Sequence, residues 1–287
     1  MSHGLHTIML PVRGDGKGDN VLAHAAVLAK AFGARVRVIH CVPSAKDMMP
    51  YGVVLPRMVR EQLEAAAAGG AEVAHDELLD EFRGLANLFG VAEQDYEAGK
   101  ATARFIQYQG KQVDAVRHFG RLADLICVPQ PDQTLNLGAN TLKSALFSSG
   151  RPVMMCPPQE NVAEDFADHI TIGWNGSLEA SRAVAMSMPL IGRAKSVTIL
   201  TSGSTGHEAT AEQLQRYLEL KSVEAKLRPF NAKGGNVGAQ LLEETEKAGA
   251  GMLIMGAYHD SYERESLFGG NSQAVVKKAK LPVVFVH

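Results

Sequence analysis

The sequence predicts an α/β protein made of two doubly wound parallel-sheet domains in tandem, and three observations lead to this prediction. Apolar runs of strand length alternate with helical patterns along the whole chain of 287 residues. The alternation starts again after a polar, proline-led stretch near residues 157–168. Short stretches of sequence also recur at matching positions of the two halves. Strands that alternate with helices form parallel sheets covered by helices on both faces.

The first half has five apolar runs that predict strands, at 6–12, 34–42, 92–99, 123–129 and 152–156. Helical patterns lie between them, at 20–32, 55–89, 113–121 and 140–149. The predicted order of elements is therefore βαβαβαβαβ. An additional segment at about 43–89 makes this half longer than the second.

The second half has the same predicted order in fewer residues. Its strands are expected at 169–174, 196–201, 224–230, 251–256 and 281–286. Its helices are expected at 178–190, 209–221, 237–247 and 272–280. We therefore predict one domain over residues 1–158 and a second over 168–287.

Local repeats indicate that the two halves arose by internal duplication. Ala-Asp-Leu-Ile-Cys-Val-Pro at 123–129 parallels Gly-Met-Leu-Ile-Met-Gly at 251–256. Gly-Arg-Pro-Val-Met-Met-Cys at 150–156 parallels Lys-Leu-Pro-Val-Val-Phe-Val at 280–286. Arg13-Gly14 also falls where Asn175-Gly176 falls, after the first predicted strand of each half.

The composition excludes several classes of protein. Hydrophobic residues make up 46% of the chain, which is enough for packed cores, and the formal net charge is −2. No cluster of Lys and Arg provides a nucleic-acid surface. The sequence shows no secretory signal and no apolar run long enough to span a membrane. Cys41, Cys127 and Cys156 are widely spaced, as expected for reduced thiols, so we expect a cytoplasmic protein.

The loops that follow the strands of the second half contain the candidate binding residues. In open parallel sheets, ligands bind outside the carboxyl ends of the strands, where the strand order reverses. Gly269 and Gly270 precede the last helix, and free amides at a helix N-terminus favour an anion. Ser272 could donate its hydroxyl to the same anion or cap the helix. As a bare pattern this loop could also be a glycine turn with a serine cap.

The same residues resemble the signature of the universal stress protein family, Gly-x2-Gly-x9-Gly-(Ser/Thr), which holds the phosphates of ATP. Here the spacing is Gly256-x2-His259-x9-Gly269-Gly270, so His259 and Gly270 depart from the signature. Trp174-Asn175-Gly176-Ser177 resembles the end of the family's first strand, with Asn175 in place of the usual Asp.

The resemblance implies a Rossmann-like fold whose two domains pair through their last strands. It also implies ATP or AMP as the ligand, with or without Mg. The implied nucleotide-binding residues are Trp174, Asn175, Thr201, Gly256, Ala257, His259, Arg264, Gly269, Gly270, Asn271 and Ser272.

The first half is predicted to have lost its nucleotide site. Pro129 stands where Gly256 stands in the second half, and proline has no amide to donate. Arg13 takes the position of Asn175, and Gly138 is the one glycine left in the loop at 130–139.

Two classes of function remain open from the sequence. The first is a nucleotide-dependent stress-response or signalling module that binds ATP or AMP and hydrolyses it slowly or not at all, because no catalytic set is apparent. The second is a scaffold of the same fold that binds a protein partner and no nucleotide. An ATP-pyrophosphatase or adenylate-forming enzyme fits less well, because Asn175-Gly176-Ser177-Leu178 lacks the loop of that class. The identity of a protein partner is open, and a homodimer of such chains is a further expectation.

Overall fold

The computed structural model describes residues 4–12, 18–42, 57–132, 134–135, 137–159, 161–202, 209–232, 236–257 and 270–287, with the backbone alone for 60–74. The predicted site residues His259, Arg264 and Gly269, together with Arg13, lie outside these ranges.

The first half contains six strands and four helices within the described ranges. In chain order they are β1 (Thr7–Val12), α1 (Gly18–Phe32), β2 (Arg35–Val42), α2 (Arg57–Leu88), β3 (Ala92–Glu93), β4 (Thr102–Gln109), α3 (Gln112–Ala115, continued by a π-helical turn over Val116–Gly120), β5 (Leu125–Pro129), α4 (Ala139–Ser148) and β6 (Val153–Cys156).

The second half contains five strands and five helices within the described ranges. They are β7 (His169–Gly173), α5 (Leu178–Met186), α6 (Met188–Arg193), β8 (Ser196–Thr201), α7 (Ala211–Glu219), β9 (Ala225–Pro229), α8 (Val237–Lys247), β10 (Met252–Gly256), α9 (Gly270–Lys278) and β11 (Val283–Val286). The single helix predicted at 178–190 is interrupted at Ser187, and the second piece begins at Met188 with Pro189 in its first turn.

All eleven strands form one sheet in the order β3-β4-β2-β1-β5-β6-β11-β10-β7-β8-β9. Within each half the paired strands are parallel. The halves meet where β6 and β11 pair antiparallel, with Met154 opposite Val284. The predicted fold class, including pairing through the last strands, is confirmed.

One predicted strand of the first half is wrong. The sequence placed the third strand at 92–99, but only Ala92 and Glu93 are paired, and the long third strand is β4 at Thr102–Gln109. Residues 94–99 include Asp95 and Gly99, two residue types that favour turns. β4 escaped detection because polar residues interrupt its apolar ones, although it pairs with β2 along its whole length. The first half therefore does not follow the simple βαβαβαβαβ order.

The helices cover both faces of the sheet, as doubly wound folds require. One apolar core lies beneath α1, α2, α5, α6 and α7. The other lies beneath α3, its π-helical continuation, α4, α8 and α9. Each core contains buried side chains from both halves, so the packing is continuous across the β6–β11 pair.

The segment between the halves packs against the first helix. The side-chain amide of Asn20 donates to the Pro157 carbonyl at 2.6 Å, and its oxygen accepts from the Gln159 amide at 3.3 Å. The ring of Phe166 meets the buried ring of His24 edge-on, with 5.4 Å between their centroids. The polar, proline-led stretch between the halves therefore contacts α1 and adds apolar contact through Phe166.

Candidate functional site

The predicted site lies at the carboxyl edge of the second half, where the strand order reverses. β7 lies between β10 and β8, so the chain crosses to opposite sides of β7 in successive connections. The ends of these three strands bring together Trp174, Thr201 and Gly256, and α9 begins beyond β10 at Gly270. This edge is the position at which open α/β sheets bind ligands.

Gly256 is required by packing between a strand and a helix. A Cβ atom at this position would lie 2.5 Å from the backbone nitrogen of Ala180 and 2.6 Å from the carbonyl carbon of Glu179. Both belong to the first turn of α5, which therefore rests directly on the end of β10. The resemblance implied that this glycine contacts the nucleotide, but in the structure the first turn of α5 fills the space next to its Cα atom.

Substituting Gly256 by Ala should destabilise the protein strongly. The new methyl group would meet backbone atoms that cannot rotate away, and overpacking of this kind lowers the free energy of unfolding by about 1–3 kcal/mol or more. Urea unfolding of the variant measures this loss. The matched control is Gly192→Ala, because a Cβ at this position in α6 has nothing within 4 Å. An unchanged free energy of unfolding in Gly256→Ala would contradict the packing role.

Trp174 is a core residue as well as a neighbour of the candidate site. Its side chain is 7% exposed and belongs to the core beneath α5 and α7. The indole Nε1 donates to the carbonyl of Ala209 at 2.9 Å. The backbone amide of Trp174 donates to the carbonyl of Leu200 at 2.8 Å. The ring thereby ties the end of β7 to the residue that precedes the cap of α7.

Asn175 and Thr201 lie near Trp174 at the carboxyl edge of the sheet. Asn175 is exposed, and its side-chain oxygen accepts from the amide of Ser177 at 3.2 Å. Ser177 in turn caps α5 by accepting from the amide of Ala180 at 3.2 Å. Thr201 is half-buried at the end of β8. The two side chains leave polar atoms at the carboxyl edge, where a ligand could meet them.

The start of α9 combines an exposed glycine with a buried serine. Gly270 has a φ of 69°, a conformation that side chains other than glycine rarely adopt. Ser272 is 6% exposed. The side-chain oxygen of Asn271 accepts from the amide of Gly238 at 3.3 Å, which joins the starts of α8 and α9. Ala257 is buried, and its amide donates to Val286 at 2.9 Å.

The equivalent edge of the first half is built differently. Strand pairing places Pro129 opposite Cys156 and Gly256 opposite Val286, so Pro129 and Gly256 occupy matching positions in their halves. The side-chain amide of Gln130 donates to the carbonyls of Val276 at 2.7 Å and Ala279 at 3.2 Å. The loop after β5 therefore holds the last turn of α9 in the other half.

The sequence pattern did not reveal a cavity at this first-half edge. It lies between α1, α2 and the ends of β1 and β5, and its charged described residues are Asp19 and Glu81. These two are distant in sequence, and no spacing rule connects them. Their proximity depends on how α2 packs against α1.

Two further observations concern metals and membranes. In the part of the chain that the structure describes, no three His, Cys, Asp or Glu side chains are grouped closely enough to hold a metal ion. None of the described helices has the length and apolarity needed to cross a membrane.

The comparison with protein families connects the second half to a known class. Residues 167–287 match the model of the Universal stress protein family. No protein among the curated sequences compared is significantly similar to the chain. The matched range covers all the described residues of the candidate site, together with His259, Arg264 and Gly269.

Solved structures share the fold over nearly the whole chain. A universal stress protein from Archaeoglobus fulgidus DSM 4304 superposes with a TM-score of 0.70 at 16% identity, over 99% of this chain and 96% of that chain. A protein from Pseudomonas aeruginosa UCBPP-PA14, described as a putative universal stress protein, gives 0.56 at 13% identity, over 98% and 93%. The cytoplasmic domain of a prokaryotic cation chloride cotransporter gives 0.52 at 11% identity, over 98% and 94%. The same fold thus occurs in proteins of different roles, so the fold alone does not define function.

Proposed function

We propose that the second half, residues 168–287, binds an adenine nucleotide, ATP or AMP, at the carboxyl ends of β7, β8 and β10. The whole chain would then be a tandem universal stress protein that works in the cytoplasm as a stress-response or signalling module. The observation that carries this proposal is the match of residues 167–287 to the universal stress protein model.

The geometry of the edge supports a nucleotide with its phosphates at the start of α9. The amides at a helix N-terminus and the helix dipole favour an anion, and Gly270 leaves the approach to the backbone open. The exposed side chain of Asn175 and the half-buried Thr201 lie at the ends of the neighbouring strands, on the side where the nucleoside would rest. His259, Arg264 and Gly269 complete the set of residues expected from the sequence.

In the tandem arrangement, the first half supports the elements of the second half that would bind the nucleotide. β6 supplies the strand that pairs with β11, and Gln130 holds the end of α9. Pro129 removes an amide at the position of Gly256, so we propose that phosphate binds in the second half alone. Bound nucleotide would change the surface that this edge of the second half offers to a protein partner.

A second candidate function is a scaffold that binds proteins and no nucleotide. Three of the predicted ligand contacts already have structural partners, which favours this alternative. Trp174 bonds to Ala209, Asn271 bonds to Gly238, and the space above Gly256 is filled by α5.

Nucleotide retained by the protein separates the two candidates. The protein is purified without added nucleotide, denatured, and the supernatant is analysed by ion-exchange chromatography and mass spectrometry. Equilibrium dialysis against ATP and AMP follows for protein freed of bound ligand. Retained or saturably bound adenine nucleotide supports the module, and the absence of both supports the scaffold.

A further inference from the structure

The first half contains a cavity at its own switch point, between β1 and β5. β1 pairs with β2 on one side and with β5 on the other, so the strand order reverses here as it does at β7. The volume open to the centres of water molecules is about 60 Å³, and one water needs roughly 10–15 Å³ by this measure. The cavity therefore has room for several heavy atoms, such as part of an aromatic ring.

The walls of the cavity are mainly apolar. α1, α2 and the strand ends supply this lining, which includes Val12, Val21, Leu22, Phe82, Leu85 and Phe105. The rings of Phe82 and Phe105 pack against each other with 5.6 Å between their centroids. On the far side, the hydroxyl of Thr141 donates to the side-chain oxygen of Gln112 at 2.9 Å. An apolar enclosure with few polar groups is typical of small-molecule sites.

Comparison of the two halves explains why this space exists. Ile8 pairs with Leu125 in the first half, and Ile170 pairs with Met252 in the second. Counting along each strand from these pairs places Val12 at the position of Trp174. In the second half the buried Trp174 ring fills the core at this point. In the first half the much smaller Val12 occupies that position and lines the cavity.

The mouth of the cavity is acidic. Asp19 at the start of α1 and Glu81 on α2 are both exposed, and both line the cavity. Although Glu81 is largely exposed, loss of some solvent around its carboxyl group, followed by the neighbouring carboxyl group of Asp19, raises its pKa. A positive charge placed between two carboxyl groups would relieve their repulsion.

The same features oppose a nucleotide at this position. Pro129 lines the cavity and has no amide for a phosphate. The carboxyl groups of Asp19 and Glu81 would repel the phosphates of a nucleotide. The charged residues in the described lining are these two alone.

We propose that this cavity binds a small organic cation with an apolar body, such as an arylalkylamine, whose ammonium group lies between Asp19 and Glu81. Part of its aromatic ring enters the space that corresponds to Trp174 of the other half. The chain would then hold two different ligand sites at equivalent edges, one selective for anions and the other for cations.

Methyl-labelled protein titrated with three probes of similar shape tests this proposal. The probes are 2-phenylethylammonium, the neutral 2-phenylethanol and the anionic 3-phenylpropanoate. We expect saturable shifts of the Val12, Leu22 and Leu85 methyl signals, with the ammonium probe bound at least about tenfold more tightly than the anion. The absence of saturable shifts up to the solubility of the amine, or a preference for the anion, overturns the proposal.

Two variants separate the apolar cavity from its acidic mouth. Val12→Trp introduces the residue that stands at the equivalent position of the second half. Its ring should fill the cavity and abolish binding of all three probes. Glu81→Gln should reduce the preference for the ammonium probe to within about threefold while the neutral probe binds as before. If Val12→Trp does not fold, the Glu81→Gln comparison decides alone, and an unchanged preference contradicts the proposal. Shifts of the same methyl groups by ATP would identify a nucleotide site and also contradict it.

Discussion

Substituting Gly270 by Val should weaken ATP binding by at least about tenfold, or about 1.4 kcal/mol. Gly270 begins α9 with a φ of 69°, and a β-branched side chain there both strains the backbone and covers the amides that would contact phosphate. Trp174 is the single tryptophan of the chain and lies at the end of β7, so its fluorescence can follow the titration.

Gly249→Val is the matched control for backbone strain. Gly249 has a φ of 68°, and a Cβ atom at this position would have nothing within 4 Å. It lies after α8 at the opposite edge of the sheet from the candidate site. This variant should lose stability through the same strain and keep the ATP affinity of the wild type. Equal loss of affinity in both variants would attribute the effect to stability and would contradict a phosphate site at Gly270.

Substituting Val284 by Asp should destabilise both halves of the protein together. Val284 is fully buried in β11 and pairs with Met154 of β6 across the boundary between the halves. An uncompensated buried charge lowers the free energy of unfolding by at least about 3 kcal/mol. Because the cores continue through this pair, hydrogen exchange should accelerate in β1 and β5 as well as in β7 and β10.

Leu220→Asp provides the comparison for an added charge outside the core. Leu220 is 87% exposed after α7, so this change should alter stability by no more than about 0.5 kcal/mol. If Val284→Asp accelerates exchange in the second half and leaves β1 and β5 protected, the halves unfold independently and the continuous core does not couple them.

The parts of the fold that sequence predicts best are those with a strong local pattern. β8 and α8 are found at the predicted positions 196–201 and 237–247, because their apolar residues match the strand and helix periods. The sequence did not predict β4 because its buried residues do not alternate regularly with exposed ones. Its position as a strand follows from pairing with β2. The strand and helix pattern is local information, whereas strand pairing is not.

In the candidate site, too, local features were predicted from the sequence and contacts between distant elements were not. The sequence placed Trp174, Thr201, Gly256 and Ala257 at strand ends and Gly270 beside the last helix, and the structure brings these residues to one edge. The sequence did not reveal that Gly256 accommodates the first turn of α5. A glycine required by a helix and a glycine required by a ligand are identical in sequence, so the distinction needs the distance to Ala180.

The cavity in the first half could not be predicted from the sequence for a related reason. The sequence alignment of Arg13 with Asn175 already places Val12 opposite Trp174, but a valine in a strand does not by itself indicate that the space of the larger ring stays open. Asp19 and Glu81 belong to helices whose packing brings the two carboxyl groups together. The loss of a nucleotide signature therefore does not by itself mean the loss of a binding cavity.

Calorimetric titration of the nucleotide-free chain with ATP tests the central claim most directly, because the stoichiometry counts the sites. The claim of one nucleotide site in the second half predicts one ATP per chain, with binding weakened at least about tenfold in Gly270→Val. A stoichiometry of two would show that the first half also binds nucleotide. An absence of binding heat, together with no change in Trp174 fluorescence, would contradict the claim and leave the scaffold function.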